Sequence, residues 1–275
     1  MIAAKYEDNP EEDRHKEEYT AILNAFRKLI YSFENSAESW DIFEEIVTLR
    51  CSFLIDEAIT GLRLDFDAAL NILRNYNTGL TERDKQIREV LVAAIDNLVD
   101  FSIAEEFQMV NDLPDEIDLN NMEEYEQICE KYNYTYASQE NKDVLYAASV
   151  ASWWIDIPSN EIITYMTQGD ERVRASHLAL EGLSFPKNEF PSDLIPPIDY
   201  ACRCYLMSNG FESHVFASLN KTYSPKMINP IFSESLATRG RIFNDKHPYF
   251  KIPKNQHERL KKIGKRIKDK FMIYA

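Results

Sequence analysis

Polar and apolar positions in the first half of the chain alternate with helical spacing. Tyr19, Ile22, Leu23, Phe26, Leu29, Ile30 and Phe33 follow the i, i+3, i+4, i+7 pattern of one buried face. Ile42, Phe43, Ile46 and Val47 mark a second helix, with Ser39 as its expected N-cap. Asp65 opens a shorter helix carrying Phe66, Ala69, Leu70, Leu73 and Tyr76, which should stop near Asn77 and Gly79. Thr81 precedes the clearest stripe, Ile87, Val90, Leu91, Ala94, Ile95, Leu98 and Phe101, running to about Val110. The acidic stretch from Asn111 to Asn121, with Pro114, predicts a loop. Helices over Met122 to Tyr132 and Glu140 to Trp154 follow.

The pattern changes at Pro158. Nine of the eleven prolines lie from there onward, and long amphipathic runs disappear until the C-terminal tail. Ile162, Ile163, Tyr165 and Met166 read as a short buried strand, and Cys202 to Met207 as another. The expected fold class is α+β. A mainly helical region over residues 1–130 should be followed by a smaller mixed α+β domain over 131–252 and a basic amphipathic tail over 253–275.

Composition narrows the function. With 44% hydrophobic and 12% aromatic residues, 275 residues can bury a real core. Seven glycines are too few for a glycine-rich nucleotide-binding fold. No run approaches the roughly 18 apolar residues of a membrane span. The acidic N-terminus lacks the features of a signal peptide, so the expected compartment is a cytoplasm, where Cys51, Cys129, Cys202 and Cys204 are reduced thiols or metal ligands. Net charge is −15, but Lys251 to Lys270 carries nine Lys/Arg against Glu258 and Asp269, leaving −22 elsewhere. Such asymmetry suggests a tail with its own partner.

Three sets of residues carry candidate chemistry. Asp170, Arg172 and Arg174 can form a scaffold in which arginine forks fix loops through carboxylates and carbonyls. The same residues with His177 could instead serve an enzyme of the nuclease or transferase type, with Asp170 and His177 as acid and base. Cys202 and Cys204 at i and i+2 would put both thiols on one side of a strand, with Arg203 opposite. They are then either packed core thiols or, with His177 and His247, a structural zinc site. Cys51 and Cys129 read as core thiols. In the tail, Leu260, Ile263, Ile267 and Phe271 share a face, and Lys261, Lys262, Lys265 and Arg266 could lie on DNA phosphates. Alternatively the stripe packs on the protein and leaves a solvated basic surface.

The stretch from Thr167 to Gly182 has the form Asp-x-Arg-x-Arg-x-x-His-x-x-Leu-x-Gly, from Asp170 through Arg172, Arg174, His177 and Leu180 to Gly182. Pro196-Pro197 and Cys202-Arg203-Cys204 follow. Together these blocks resemble the Mu F-like head morphogenesis, or minor head, proteins of tailed phages. Arg241-Ile242-Phe243 and His247-Pro248-Tyr249-Phe250 are similar to the segment that often comes next in that family. The resemblance covers roughly Asn133 to Phe250 and departs from the family at Ala201, where Asn is expected in much of it, and in the loop from Phe185 to Ile195, which lacks the expected Trp. It implies a minor structural protein of a phage or prophage head. Such proteins associate with the portal, other head proteins and the genome during assembly, packaging or ejection, in the virion and earlier in the host cytoplasm. Asp170, Arg172, Arg174, His177, Gly182, Pro196, Pro197 and Arg203 are then motif residues, with no catalytic role expected. The helical region is the expected portal-binding part, and the tail the expected DNA contact. Some relatives carry a further C-terminal toxin domain; with about 25 residues after Phe250, none is expected here.

Overall fold

A computed structural model describes residues 12–74, 79–208 and 223–272. The helical half consists of α1 (Glu12–Tyr31), α2 (Ser36–Gly61), α3 (Phe66–Arg74), α4 (Glu82–Asn111), α5 (Met122–Glu130) and α6 (Ala137–Asp156). Thr81 caps α4 as its sequence suggests. Its hydroxyl accepts from Asp84 N, and Asp84 in turn accepts from Thr81 N, closing a reciprocal box. Ser39 does not cap α2. The helix starts one turn earlier behind Asn35, whose side-chain amide donates to Glu38, and the Ser39 hydroxyl reaches back to Ser32 O at 2.7 Å. The expected stop of α3 at Tyr76 and Asn77 lies outside the described residues.

Helices α5 and α6 are joined without a loop by a single wide π turn, Lys131–Tyr136. The helical run from Met122 to Asp156 therefore crosses residue 130 unbroken. α2 packs on α1, α4 and α6. Its approach to α6 is close enough that a Cβ on Gly61 would stand 2.5 Å from Leu145 O and 2.6 Å from Ala148 Cβ, so only glycine fits there.

The mixed part contains β1 (Ile162–Met166), the single-turn α7 (Ala175–Leu178), β2 (Ser184–Pro186) and β3 (Tyr205–Ser208), with many 3₁₀ turns. The antiparallel sheet has the order β2-β1-β3; Ile163 faces Phe185, and Tyr165 faces Leu206. The fold is thus the mainly helical α+β class expected from the sequence. The second strand is shorter than its apolar run suggested. β1 ends at Met166, opposite Tyr205, so Cys202 to Cys204 have no strand to pair with and approach the sheet as irregular chain.

One core cluster runs through α2, α3, α4 and α6 to Ile163, Tyr165, Cys202 and Leu206, and on to Phe243 and Leu260. A second joins α1, the start of α2, the end of α4 and α5. Asn97 of α4, fully buried, ties the downstream chain to the helices. Its Oδ1 accepts from Ile242 N and Phe243 N, and its Nδ2 donates to Phe243 O. The basic tail is the helix α8 (Lys254–Met272). Leu260, Ile263 and Ile267 are buried against the protein, with α4 beneath. Among the described residues, no helix is long and apolar enough to cross a membrane.

Candidate functional site

The signature residues meet where two loops interlock above α6. The first loop runs from Thr167 to α7, and the second from Pro196 to Cys204. Gln168 Nε2 donates to Arg203 O at 3.1 Å, and the Arg203 guanidinium donates to Asp170 at 2.6 Å. The same Asp170 oxygen accepts from Arg172 N, shaping the turn that leads into α7. The Arg203 fork holds the Asp170 carboxyl below the usual carboxylate range. Arg174 donates to Tyr200 O at 2.9 Å and lies 3.3 Å from Asp199. Arg172 is exposed.

Gly182 closes the first loop. Its N–H donates to Tyr165 O at 2.8 Å, and its φ of +82° is open to glycine but strained for other residues. A Cβ there would meet nothing within 4 Å, so the requirement is conformational rather than steric. Pro196 and Pro197 are buried and joined by a cis peptide. Ala201 has a φ of +51°, a region that Asn tolerates better than Ala. Asp143 of α6 holds the bend by accepting from Ala201 N at 3.0 Å. Tyr146, one turn further along α6, donates to Cys204 O. Burial pushes the Asp143 carboxyl up.

Cys202, Cys204 and His177 converge beneath these loops. His177 Nδ1 lies 3.9 Å from Cys202 Sγ and 3.3 Å from Cys204 Sγ, and all three ligand atoms lie within 4.8 Å of one another. All three residues are buried. The two thiols share a side and Arg203 points away, although the segment is not a strand. A hydrogen bond from the Cys202 thiol brings Cys204 down, while burial pushes Cys202 up. The four-ligand set expected from the sequence is not assembled, because His247 lies elsewhere. Its ring packs 4.3 Å from that of Tyr249 and 5.1 Å from that of Phe101, and its Nδ1 accepts from Tyr249 N. Burial pushes it down to about 4, so it stays neutral.

Of the four tail residues, Lys261, Lys262 and Lys265 are exposed, while Arg266 is paired with Glu44 of α2. Lys268 bonds Asp96 and Asp100 at 2.6 and 2.7 Å.

The sequence reading missed a second polar cluster entirely. Arg50, inside α2, is fully buried and bonds Glu18 of α1 (2.7 Å), Glu105 of α4 (2.8 Å) and Glu140 of α6 (2.7 Å). Asn141 bridges Arg50 and Glu18. Burial alone would lower the Arg50 pKa, but the fields of Glu105, Glu18 and Glu140 outweigh it and raise it. Burial pushes Glu105 and Glu140 up. Glu106, buried beside Glu105 and held by Asn133 of the π turn at 3.1 Å, is pushed up as well. The available signal was a charged residue inside an apolar stripe: Arg50 follows Ile46 and Val47 and precedes Cys51 and Leu54, all buried.

The Asp-Arg-Arg-His-Gly and Cys-Arg-Cys blocks of this helical α+β chain thus lock into one clamp. Residues 114–207, about a third of the chain, match the family described as Phage Mu protein F like protein. An uncharacterized protein of Methanocaldococcus jannaschii is 51% identical over 45 residues, 16% of this chain and 7% of that relative's own length. The match therefore spans only a small part of that protein. No solved structure matches the chain.

Proposed function

We propose that this is a minor head protein of a tailed phage or prophage, associated with the portal and with the genome during head assembly, packaging or ejection. The observation that carries the reading is the Mu F-like match over 114–207, which contains the clamp residues from Asp170 to Cys204. A structural role is favoured over a nuclease or transferase built on Asp170, Arg172, Arg174 and His177. Asp170 and Arg174 bond to other parts of the clamp, and His177 is buried under it rather than facing open space. The protein should co-purify with the cognate portal as the full chain and be found at low copy number in purified heads. Its absence from heads in which portal and major capsid protein are readily detected would end this reading.

Genome contact is assigned to α8. Its apolar face is buried on the protein, and Lys261, Lys262 and Lys265 project outward. Three such contacts lower the slope of log affinity against log salt by about 3. DNA affinity that is unchanged when all three lysines are replaced by Ala would remove the assignment.

A further inference from the structure

We propose that His177, Cys202 and Cys204 bind one zinc ion, with His247 taking no part. Zinc bonds of about 2.3 Å to sulfur and about 2.0–2.1 Å to nitrogen, at tetrahedral angles, separate S from N by about 3.6 Å. The two distances from His177 Nδ1, 3.3 and 3.9 Å, bracket that value. Two thiolates and a neutral imidazole suit a soft, borderline divalent cation better than a hard one. Together with zinc they form a unit of zero net charge, which can be buried where an isolated ion could not. Binding releases the two thiol protons to solvent.

The surroundings are those of a built site. Asp199 Oδ2 lies 3.9 Å from His177 Nε2, beyond hydrogen-bond distance but on the ring edge away from the sulfurs, toward which Nδ1 is turned. Asp199 is itself held by Asn229 and Arg174. The backbone on either side of the cysteines is fixed by Asp143 at Ala201 and by Tyr146 at Cys204. The Tyr165 hydroxyl is buried with no hydrogen-bond partner and would take the fourth position. The ion would tie α7 to the Cys-Arg-Cys loop, joining two irregular segments that no sheet hydrogen bond connects.

Metal analysis of the full chain, produced with zinc and dialysed against a weak chelator, should find about one zinc per molecule. Exchange for cobalt should give the charge-transfer and visible bands of a tetrahedral thiolate site. Both should persist in His247→Gln, and the cobalt bands should change in Cys202→Ser, Cys204→Ser and Tyr165→Phe. Stripping the metal should lower the melting temperature by about 5 °C or more, since structural metal binding is folding free energy. If the cysteine variants do not fold, the cobalt spectrum of the unaltered chain decides. Less than about 0.1 metal per chain with no cobalt band, or loss of the band in His247→Gln, would overturn the proposal.

Discussion

Around Arg50, four long helical elements bring charged side chains together in the interior, and the charges satisfy one another directly. Around His177, two irregular loops bring thiols and an imidazole together, while the charged residues Asp170, Arg174 and Arg203 stay at the rim. Both clusters hold polar groups in the core, but their cohesion differs in kind. The first depends on ionisation states, because three carboxyls and a fourth next door surround a single guanidinium. The second depends on backbone geometry, with carbonyls and N–H groups of one loop held by side chains of the other and of α6. Helices can present a long side chain anywhere along a stripe and so afford the first solution; short loops need their backbone fixed before any side chain can be aimed.

The contrast can be broken at its strongest point. Arg50→Met keeps the packing of the stem but leaves buried carboxyls without their cation, and should cost about 3–5 kcal/mol in urea unfolding at neutral pH. A loss under about 1 kcal/mol would mean that the carboxyls are neutral without help. Asn97→Ala strips the partner from two N–H groups and a carbonyl where the helices meet the downstream chain. Leaving such groups unsatisfied should cost about 1–3 kcal/mol. An unchanged unfolding midpoint would show that water replaces the amide.

Glu106 tests the role of ionisation with the opposite sign. Burial raises its pKa in the folded chain, with the field of Glu105 adding to it, above an unfolded value of about 4.3. Below that value the carboxyl is neutral in both states and its contribution to stability is fully present. As pH rises toward the folded value, the unfolded chain releases the proton first, and stability is lost. Glu106→Gln should therefore be nearly neutral at pH 4 and stabilising by about 1 kcal/mol or more at pH 7, since one pKa unit corresponds to about 1.4 kcal/mol. A pH-independent difference would exclude the mechanism. The smallest effect concerns the loop cluster. Ala201→Gly relieves a positive φ while keeping the N–H to Asp143, and should stabilise by about 0.5–1 kcal/mol in thermal unfolding. Destabilisation would mean that the Ala201 methyl packs more favourably than the strain costs.

What could be read from the sequence follows the same division. The helices were legible because a stripe such as Ile87 to Phe101 repeats over several turns, and Thr81 with Asp84 announces a start in four residues. Cys202, Cys204 and His177 were legible as a group by chemistry and by resemblance. His247 was wrongly added because ligand type says nothing about where the chain goes after the Asn97 tie. Asp199 and Asp143 carry no local pattern; their roles come from facing His177 and Ala201 across the fold. Arg50 was visible as an anomaly, but its three partners are separated from it by 32, 55 and 90 positions and share no spacing.

The wide turn at Lys131–Tyr136 fixes the rotational phase of everything after it. An α-helix advances about 100° per residue and the wider i→i+5 turn less, so winding these same six residues as regular α-helix would swing α6 by roughly a quarter-turn about its axis. Glu140 would leave Arg50, Asp143 would leave Ala201, and Tyr146 would leave Cys204. The wide turn in the middle of a helix thus acts as the indexing tooth that sets one face of α6, so that Glu140 meets the ionic cluster while Asp143 and Tyr146, one and two turns on, meet the loop clamp.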